Sequence, residues 1–146
     1  MDNLKCVVSQ SLKFVLDLQH RILKRMRNFG MTPVLPAFAG HIPKSLVRKY
    51  PNVKYYNLQW NRFPSTYLLD ANELLFQEIG AAFLKDYSLE FGTDHLYNCD
   101  TFNEMTPVSS DPEYIQKTGQ AIYSAMIKTD PKSIWIMQGN FDSADR

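Results

Sequence analysis

Residues 100–105 read "DTFNEM", so that an amide, Asn103, and a carboxylic acid, Glu104, stand side by side where an aromatic, strand-like run gives out. That pairing suits glycoside chemistry: the acid protonates a departing oxygen while the amide bonds a sugar hydroxyl. Further loops carry groups that would complete such a site. "AFAGHIP" brings His41, "LQWNRFPSTY" brings Trp60 with Arg62 and Tyr67, and "MQGNFD" comes last. An indole packs the apolar side of a sugar ring, and an imidazole adds hydrogen bonding. Each residue also has an ordinary role. A polar pair opens a turn, a loop histidine caps a carbonyl, and a tryptophan packs between loop and helix. Asp100 suits a hydrogen-bond acceptor behind the site better than a second reacting acid.

The elements that must position these groups follow from pattern. The 146 residues are 45% hydrophobic and 21% charged, which fits one globular domain with a sizeable core. Sixteen basic and 15 acidic residues leave a net charge of +1, with no general pull toward nucleic acid or a membrane surface. The densest basic stretch, "HRILKRMR" (20–27), interleaves Ile22, Leu23 and Met26 at helical spacing and reads as the solvated face of a helix. His20, His41 and His95 form no i, i+4 pair, and Cys6 and Cys99 are far apart, so neither metal nor cofactor is expected. Cys99 falls in a strand, where a free thiol acts as a small hydrophobe. No apolar run approaches the roughly 18 residues of a membrane span. The apolar stretch near the start is broken by Ser, Gln and Lys, unlike a secretory signal.

The periodicity predicts a helix over about 10–28 with Leu12, Val15, Leu16, Leu18, Ile22 and Leu23 on one face and Gly30 just past its end. A strand follows in 31–40, then a short helix with Pro43 in its first turn, then a strand over 52–60. Asp70 and Glu73 resemble a capping box opening a helix to about Glu90, with Leu74, Leu75, Ile79, Ala82, Phe83 and Tyr87 inward and Gly92 as its stop. A strand over 95–102 leads to a helix opened by Asp111 and Pro112, with Ile115, Ile122, Tyr123 and Met126 inward; Pro131 and a last strand over 133–139 follow. The order α-β-α-β-α-β-α-β predicts an α/β fold with parallel strands buried on both faces. No glycine-rich dinucleotide turn or phosphate loop follows any strand. A closed barrel takes about 250 residues. The expected fold is therefore a partial (β/α)8 TIM-type barrel, with about four parallel strands and flanking helices. Residues 1–146 would form a single incomplete catalytic-barrel segment, with the four loops at the carboxyl edge of the strands.

The stretches "RMRNFGMTPVLPAFAGHIP" (25–43) and "FGTDHLYNCDTFNEM" (91–105) resemble glycoside hydrolase family 89, the alpha-N-acetylglucosaminidases. The similarity runs from about Leu18 to Gly139. It implies a retaining exo-glycosidase on a (β/α)8 barrel that uses no metal and removes terminal alpha-linked N-acetylglucosamine from heparan sulfate in the lysosome. By that resemblance Glu104 is the general acid/base, Asn103 contacts the sugar, and Trp60 and His41 lie in loops lining the pocket. A retaining mechanism also needs a second carboxylate about 5–5.5 Å from the first, which the resemblance assigns to a later strand. Both ends depart from the family: the first dozen or so residues are unlike it, and Asn140 stands where a sugar-contacting tryptophan is expected. These departures imply a truncated product without the nucleophile. The alternative reading is a non-catalytic piece acting as a glycan-binding or interaction module.

Overall fold

The structure is a computed structural model that describes residues 2–59, 61–102 and 105–137. In chain order the elements are α1 (Asp2–Asn28), β1 (Leu35–Pro36), β2 (His41–Ile42), α2 (Lys44–Lys49), β3 (Tyr55–Leu58), β4 (Thr66–Leu69), α3 (Leu74–Phe91), β5 (Leu96–Asn98), α4 (Pro112–Thr129) and β6 (Ile134–Ile136). Strands β1, β5 and β6 form a parallel sheet in that order, with Leu35, Tyr97 and Trp135 abreast and Pro36, Asn98 and Ile136 abreast one residue on. Helices α3 and α4 cover one face, in the alternation of a partial (β/α) barrel.

The run over 52–60 does not join that sheet. Strand β3 pairs antiparallel with β4, and β4 pairs antiparallel with β2, giving a second sheet of order β2-β4-β3. The described parallel sheet thus has three strands where the sequence suggested about four. The reason is connection length. A parallel return needs a crossover of about a dozen residues or more, whereas "TYLL" follows β3 directly after the loop 59–65 and offers it a hairpin partner.

Strand alternation sorts the parallel sheet into unequal faces. Leu35, Tyr97 and Cys99 point toward the helices and are buried among Leu23, Phe76, Leu84, Ile122 and Met126. Pro36, Ile134 and Ile136 take the opposite parity and are exposed. The expectation of burial on both faces therefore fails for the described residues, because only one side of the sheet has a layer against it.

Helix α1 reaches the core only through its last turns. Leu23 is buried and Met26 packs beside it, but Leu12, Val15, Leu16, Leu18 and Ile22 remain exposed, contrary to the broad buried face expected from spacing. The helix ends as the sequence predicts, with Gly30 at φ +71° and the Met31 N–H donating to the Met26 carbonyl. Arg27 then clamps it to the start of β5, reaching Asp94 at 2.5 Å and the Phe91 carbonyl at 3.3 Å.

Helix α3 starts later than its sequence signal. Asp70 and Glu73 form no capping box, since each carboxylate is engaged by other donors and the helix opens at Leu74 without a side-chain cap. Leu74 is exposed, and the deepest positions are Phe76, Gly80 and Leu84. Helix α4 is capped as expected: Asp111 accepts from the Glu113 N–H at 3.0 Å ahead of Pro112. Of its predicted inward residues, Ile122 and Met126 are buried, while Ile115 and Tyr123 stay largely exposed. The two helices touch at Gly80, where a Cβ would lie 2.8 Å from that of Ala125. Only glycine permits that approach.

At the amino edge of the parallel sheet, buried Asp130 gathers the Tyr97 hydroxyl at 2.7 Å, His95 Nδ1 at 2.7 Å and the Lys132 N–H at 3.1 Å. Burial raises the Asp130 pKa, but the bonds from His95, Tyr97 and Lys132 outweigh it and hold the carboxyl below the ordinary range. Because Tyr97 gives its proton to Asp130, Thr93 donates to the Tyr97 oxygen at 2.5 Å. His95, at φ +64°, is strained into this cluster. Such a lock at the amino edge serves stability, since barrel chemistry gathers at the other end of the strands.

Candidate active site

The carboxyl ends of β1, β5 and β6 lie level at Pro36, Asn98 and Ile136, and the loops leaving them are tied together by backbone and side-chain bonds. The Ala37 N–H donates to the Asn98 carbonyl at 2.8 Å, and Asn98 Nδ2 donates to the Ile136 carbonyl at 3.0 Å. The Trp135 indole reaches the Cys99 carbonyl at 3.1 Å, and the Cys99 thiol donates to the Phe38 carbonyl. Three strand ends thus make one rigid rim, the kind of frame a site needs to hold reacting groups in place.

His41 is brought to that rim. Its Nε2 donates to the Thr101 carbonyl at 2.9 Å, which joins the loop after β1 to the loop after β5. A carbonyl can only accept, so this bond places the ring proton on Nε2 and leaves Nδ1, in the neutral ring, as the acceptor. Gly40 makes the approach feasible. At φ +94° its missing Cβ would lie 2.8 Å from Phe76 Cε2 and 2.9 Å from Leu68 Cδ1. From His41 the chain pairs with β4 at Leu68, so the same histidine marks the junction of the two sheets.

Trp60, Asn103 and Glu104 lie outside the described residues. In sequence, Trp60 comes between β3 and β4, and Asn103 and Glu104 come between β5 and α4. Asp100 acts as an acceptor within that loop, taking the Phe102 N–H at 3.2 Å. The other neighbours singled out from sequence divide: Tyr67 packs edge-on against Tyr55 in the hairpin sheet, and Arg62 is exposed in the 59–65 loop.

Sequence reasoning missed the group that anchors the hairpin. Asp70, 2% exposed, accepts from the Tyr56 hydroxyl at 2.8 Å and from both the backbone and side-chain nitrogens of Asn72 at 2.8 Å, with Lys54 Nζ at 3.0 Å. Burial alone would raise its pKa, yet the Asn72 N–H, Tyr56, Lys54 and the Asn72 amide together bring it down to about 2. Tyr56 first, and then Asp70, push the Lys54 ammonium up. The signal was present in "TYLLDAN", a β-rich run ending in an Asp-x-Asn turn, but the resemblance to a helix cap hid it. Among the described residues no three His, Cys, Asp or Glu side chains are grouped to hold a metal ion. None of the described helices is long and apolar enough to cross a membrane.

Comparison with known proteins fits this arrangement. The family model described as the alpha-N-acetylglucosaminidase TIM-barrel domain matches residues 2–146. Alpha-N-acetylglucosaminidase from Homo sapiens is 47% identical over 129 residues, covering 85% of this chain and 17% of that protein. Two structures of a family 89 glycoside hydrolase from Clostridium perfringens superpose with a TM-score of 0.72 at 22% identity, over 86% of this chain and 15% of theirs. One of those enzymes is in complex with 2-acetamido-1,2-dideoxynojirmycin and the other with PUGNAc. The chain therefore spans a minor part of the length of these relatives.

Proposed function

This chain belongs to the alpha-N-acetylglucosaminidase family of glycoside hydrolases, and from that premise we propose that it forms the acid/base-bearing part of a retaining exo-glycosidase barrel. Glu104 is the general acid and base, Asn103 bonds the sugar, and Trp60 and His41 line the pocket. The substrate is a glycan ending in alpha-linked N-acetylglucosamine, heparan sulfate in the lysosome. The observation that carries this reading is the 47% identity to the human enzyme, which extends through most of the chain.

The chemistry asks two things of Glu104. It gives a proton to the leaving oxygen while a second carboxylate, on a later strand, attacks the anomeric carbon; it then takes a proton from the water that releases the sugar. Its pKa must follow the charge of that partner through the cycle. The rim formed by β1, β5 and β6 supports the assignment, because His41 bonds the carbonyl of Thr101, which precedes Glu104 by three residues in sequence.

The test is a chimera in which this chain replaces the matching segment of the human enzyme, assayed on 4-nitrophenyl alpha-N-acetylglucosaminide. Glu104→Gln should lower kcat by about 10²–10⁴-fold, and Trp60→Ala should chiefly raise KM. Undiminished turnover by Glu104→Gln would overturn the assignment. The 146-residue chain alone should bind the amino sugar without hydrolysing it; turnover by it, lost on Glu104→Gln, would place the second acid inside these residues.

A further inference from the structure

We infer that the exposed cations of helix α2, with Arg62 beside them, form a docking surface for the carboxylated or sulfated stretch of a glycan, beyond its terminal sugar. The net charge of +1 conceals an uneven distribution. Residues 18–69 hold nine Lys and Arg and no Asp or Glu, whereas residues 70–146 hold five and thirteen. Two of the nine are neutralised within the fold, Arg27 by Asp94 and Lys54 by Asp70. Lys44, Arg48, Lys49 and Arg62 are exposed, and among the described residues no carboxylate pairs with them.

Topology brings these four to one side of the molecule. Strands β2 and β3 both run antiparallel to β4 and therefore point the same way. Helix α2 follows β2 and Arg62 follows β3, so Lys44 and Arg62 leave the hairpin sheet at the same end. Leu46 and Val47 of α2 pack against the core, which leaves Lys44 and Arg48, one turn apart, on the outer face. Lys44 comes three residues after His41, which bonds the Thr101 carbonyl, so the cations flank the carboxyl rim.

The arrangement is unfavourable without an anion. Arg48 and Lys49 suit the last turn of α2, but Lys44 lies in the first turn, at the positive end, with no acidic residue there to offset it. Lys44 and Arg48 are also i, i+4 neighbours of like charge, which repel on a helix. A carboxylate or sulfate across the outer face relieves both. Terminal N-acetylglucosamine carries no charge and asks for no cation, so the anions belong to the sugars beyond it. The choice of a glycan rests on the glycosidase reading; the cationic surface does not.

The experiment titrates the 146-residue chain with a fluorescein-labelled heparin hexasaccharide, followed by fluorescence anisotropy at several salt concentrations. Affinity should fall about 20-fold between roughly 0.05 and 0.2 M salt, as three neutralised anions imply. Lys44→Gln/Arg48→Gln/Lys49→Gln should lower the slope of log K against log salt by about two and weaken binding at low salt about tenfold or more. Arg21→Gln/Lys24→Gln/Arg25→Gln removes the same charge from α1 and should leave binding nearly unchanged, since salt screens distant charges. Glutamine is a good helix former, so circular dichroism should show both variants folded. Should the α2 variant fail to fold, Arg62→Gln tests the same surface with a slope decrease of about one. No saturable binding, binding indifferent to salt, equal loss in the two triple variants, or an unaltered folded α2 variant would overturn the docking surface. Duplex DNA binding as tightly through the same side chains would overturn the choice of glycan. Hydrolysis is not read, so each of these results leaves the Glu104 assignment to its own test.

Discussion

The two faces of the parallel sheet are built from alternate residues of the same three strands, yet they are physically unlike. On the helix side Tyr97 is fully buried and Leu35 is 2% exposed; on the other, Ile134 and Ile136 stand 55% and 39% exposed. Sequence composition does not distinguish them, since isoleucine is at least as apolar as tyrosine. The difference lies in what is opposite. Helices α3 and α4 supply a layer for one face, whereas a closed barrel fills its interior with side chains contributed by all eight strands, and the described residues supply three. The folding free energy of this chain therefore comes from the helix-side core, and the inward face contributes little until other strands meet it.

The strongest way to break that comparison is to remove Tyr97. Tyr97→Ala deletes the largest fully buried side chain of the sheet and strips Asp130 of one of its donors. The expected cost is about 3–5 kcal/mol, the range for large aromatic truncations in cores, enough to unfold a marginal domain. Urea denaturation followed by far-UV circular dichroism would measure it. Tyr97→Phe, keeping the ring but removing one donor from the Asp130 carboxylate, should cost about 1.5–3 kcal/mol. A loss below about 1 kcal/mol for the alanine variant would mean the helix side is not the core.

How far the sequence foretold this architecture follows from the same contrast. Helix boundaries with local causes were legible: Gly30, Gly92 and the Asp111–Pro112 pair act through their own backbone, and they end or begin helices where expected. The partial barrel was legible too, from the alternation of elements. Pairing partners were not. Nothing in "NVKYYNLQW" states that it will join "TYLL" rather than the parallel sheet; only the short connection does, and it reads as a loop until the second strand is recognised. Asp70 failed for a related reason, because a carboxylate three residues ahead of a glutamate has the spacing of a cap, while Tyr56 and Lys54, which engage it, arrive from another strand. Of the candidate site, His41 is a described residue, and its bond to the Thr101 carbonyl is a tertiary contact no spacing encodes.

A smaller effect asks whether the hairpin sheet draws on the covered side in its own right. Asp70 has a pKa near 2 in the fold against 3.8 as its ordinary value. Its folded-state pKa is depressed, so its stabilisation is fully present above about pH 4 and disappears as pH falls toward 2. The magnitude is on the order of 2 kcal/mol. Asp70→Asn should accordingly lose about that much at pH 7 and match the parent near pH 2. Asp130 is depressed in the same direction, so some acid sensitivity will remain in the variant. Urea midpoints from pH 7 to pH 2 would resolve the two curves. Parallel curves, offset equally at every pH, would show that the carboxylate charge contributes nothing.

The smallest effect is the most discriminating. Ile134→Thr and Ile136→Thr exchange apolar for polar groups on the open face, where little area is withdrawn from water. In this chain each should change stability by no more than about 0.5 kcal/mol, and the pair should reduce self-association at high concentration by breaking an exposed apolar patch. The same substitutions in the chimera with the human enzyme meet a filled interior, where losing the buried ethyl branch and introducing a hydroxyl should cost about 1–3 kcal/mol each. The quantity that matters is the difference between the two backgrounds. A large difference identifies the open face as the interior wall of a barrel, on the strand side that carries the carboxyl rim; equal and small costs in both would mean that the face stays uncovered even in the full-length relative, and that the three strands do not line a pocket at all.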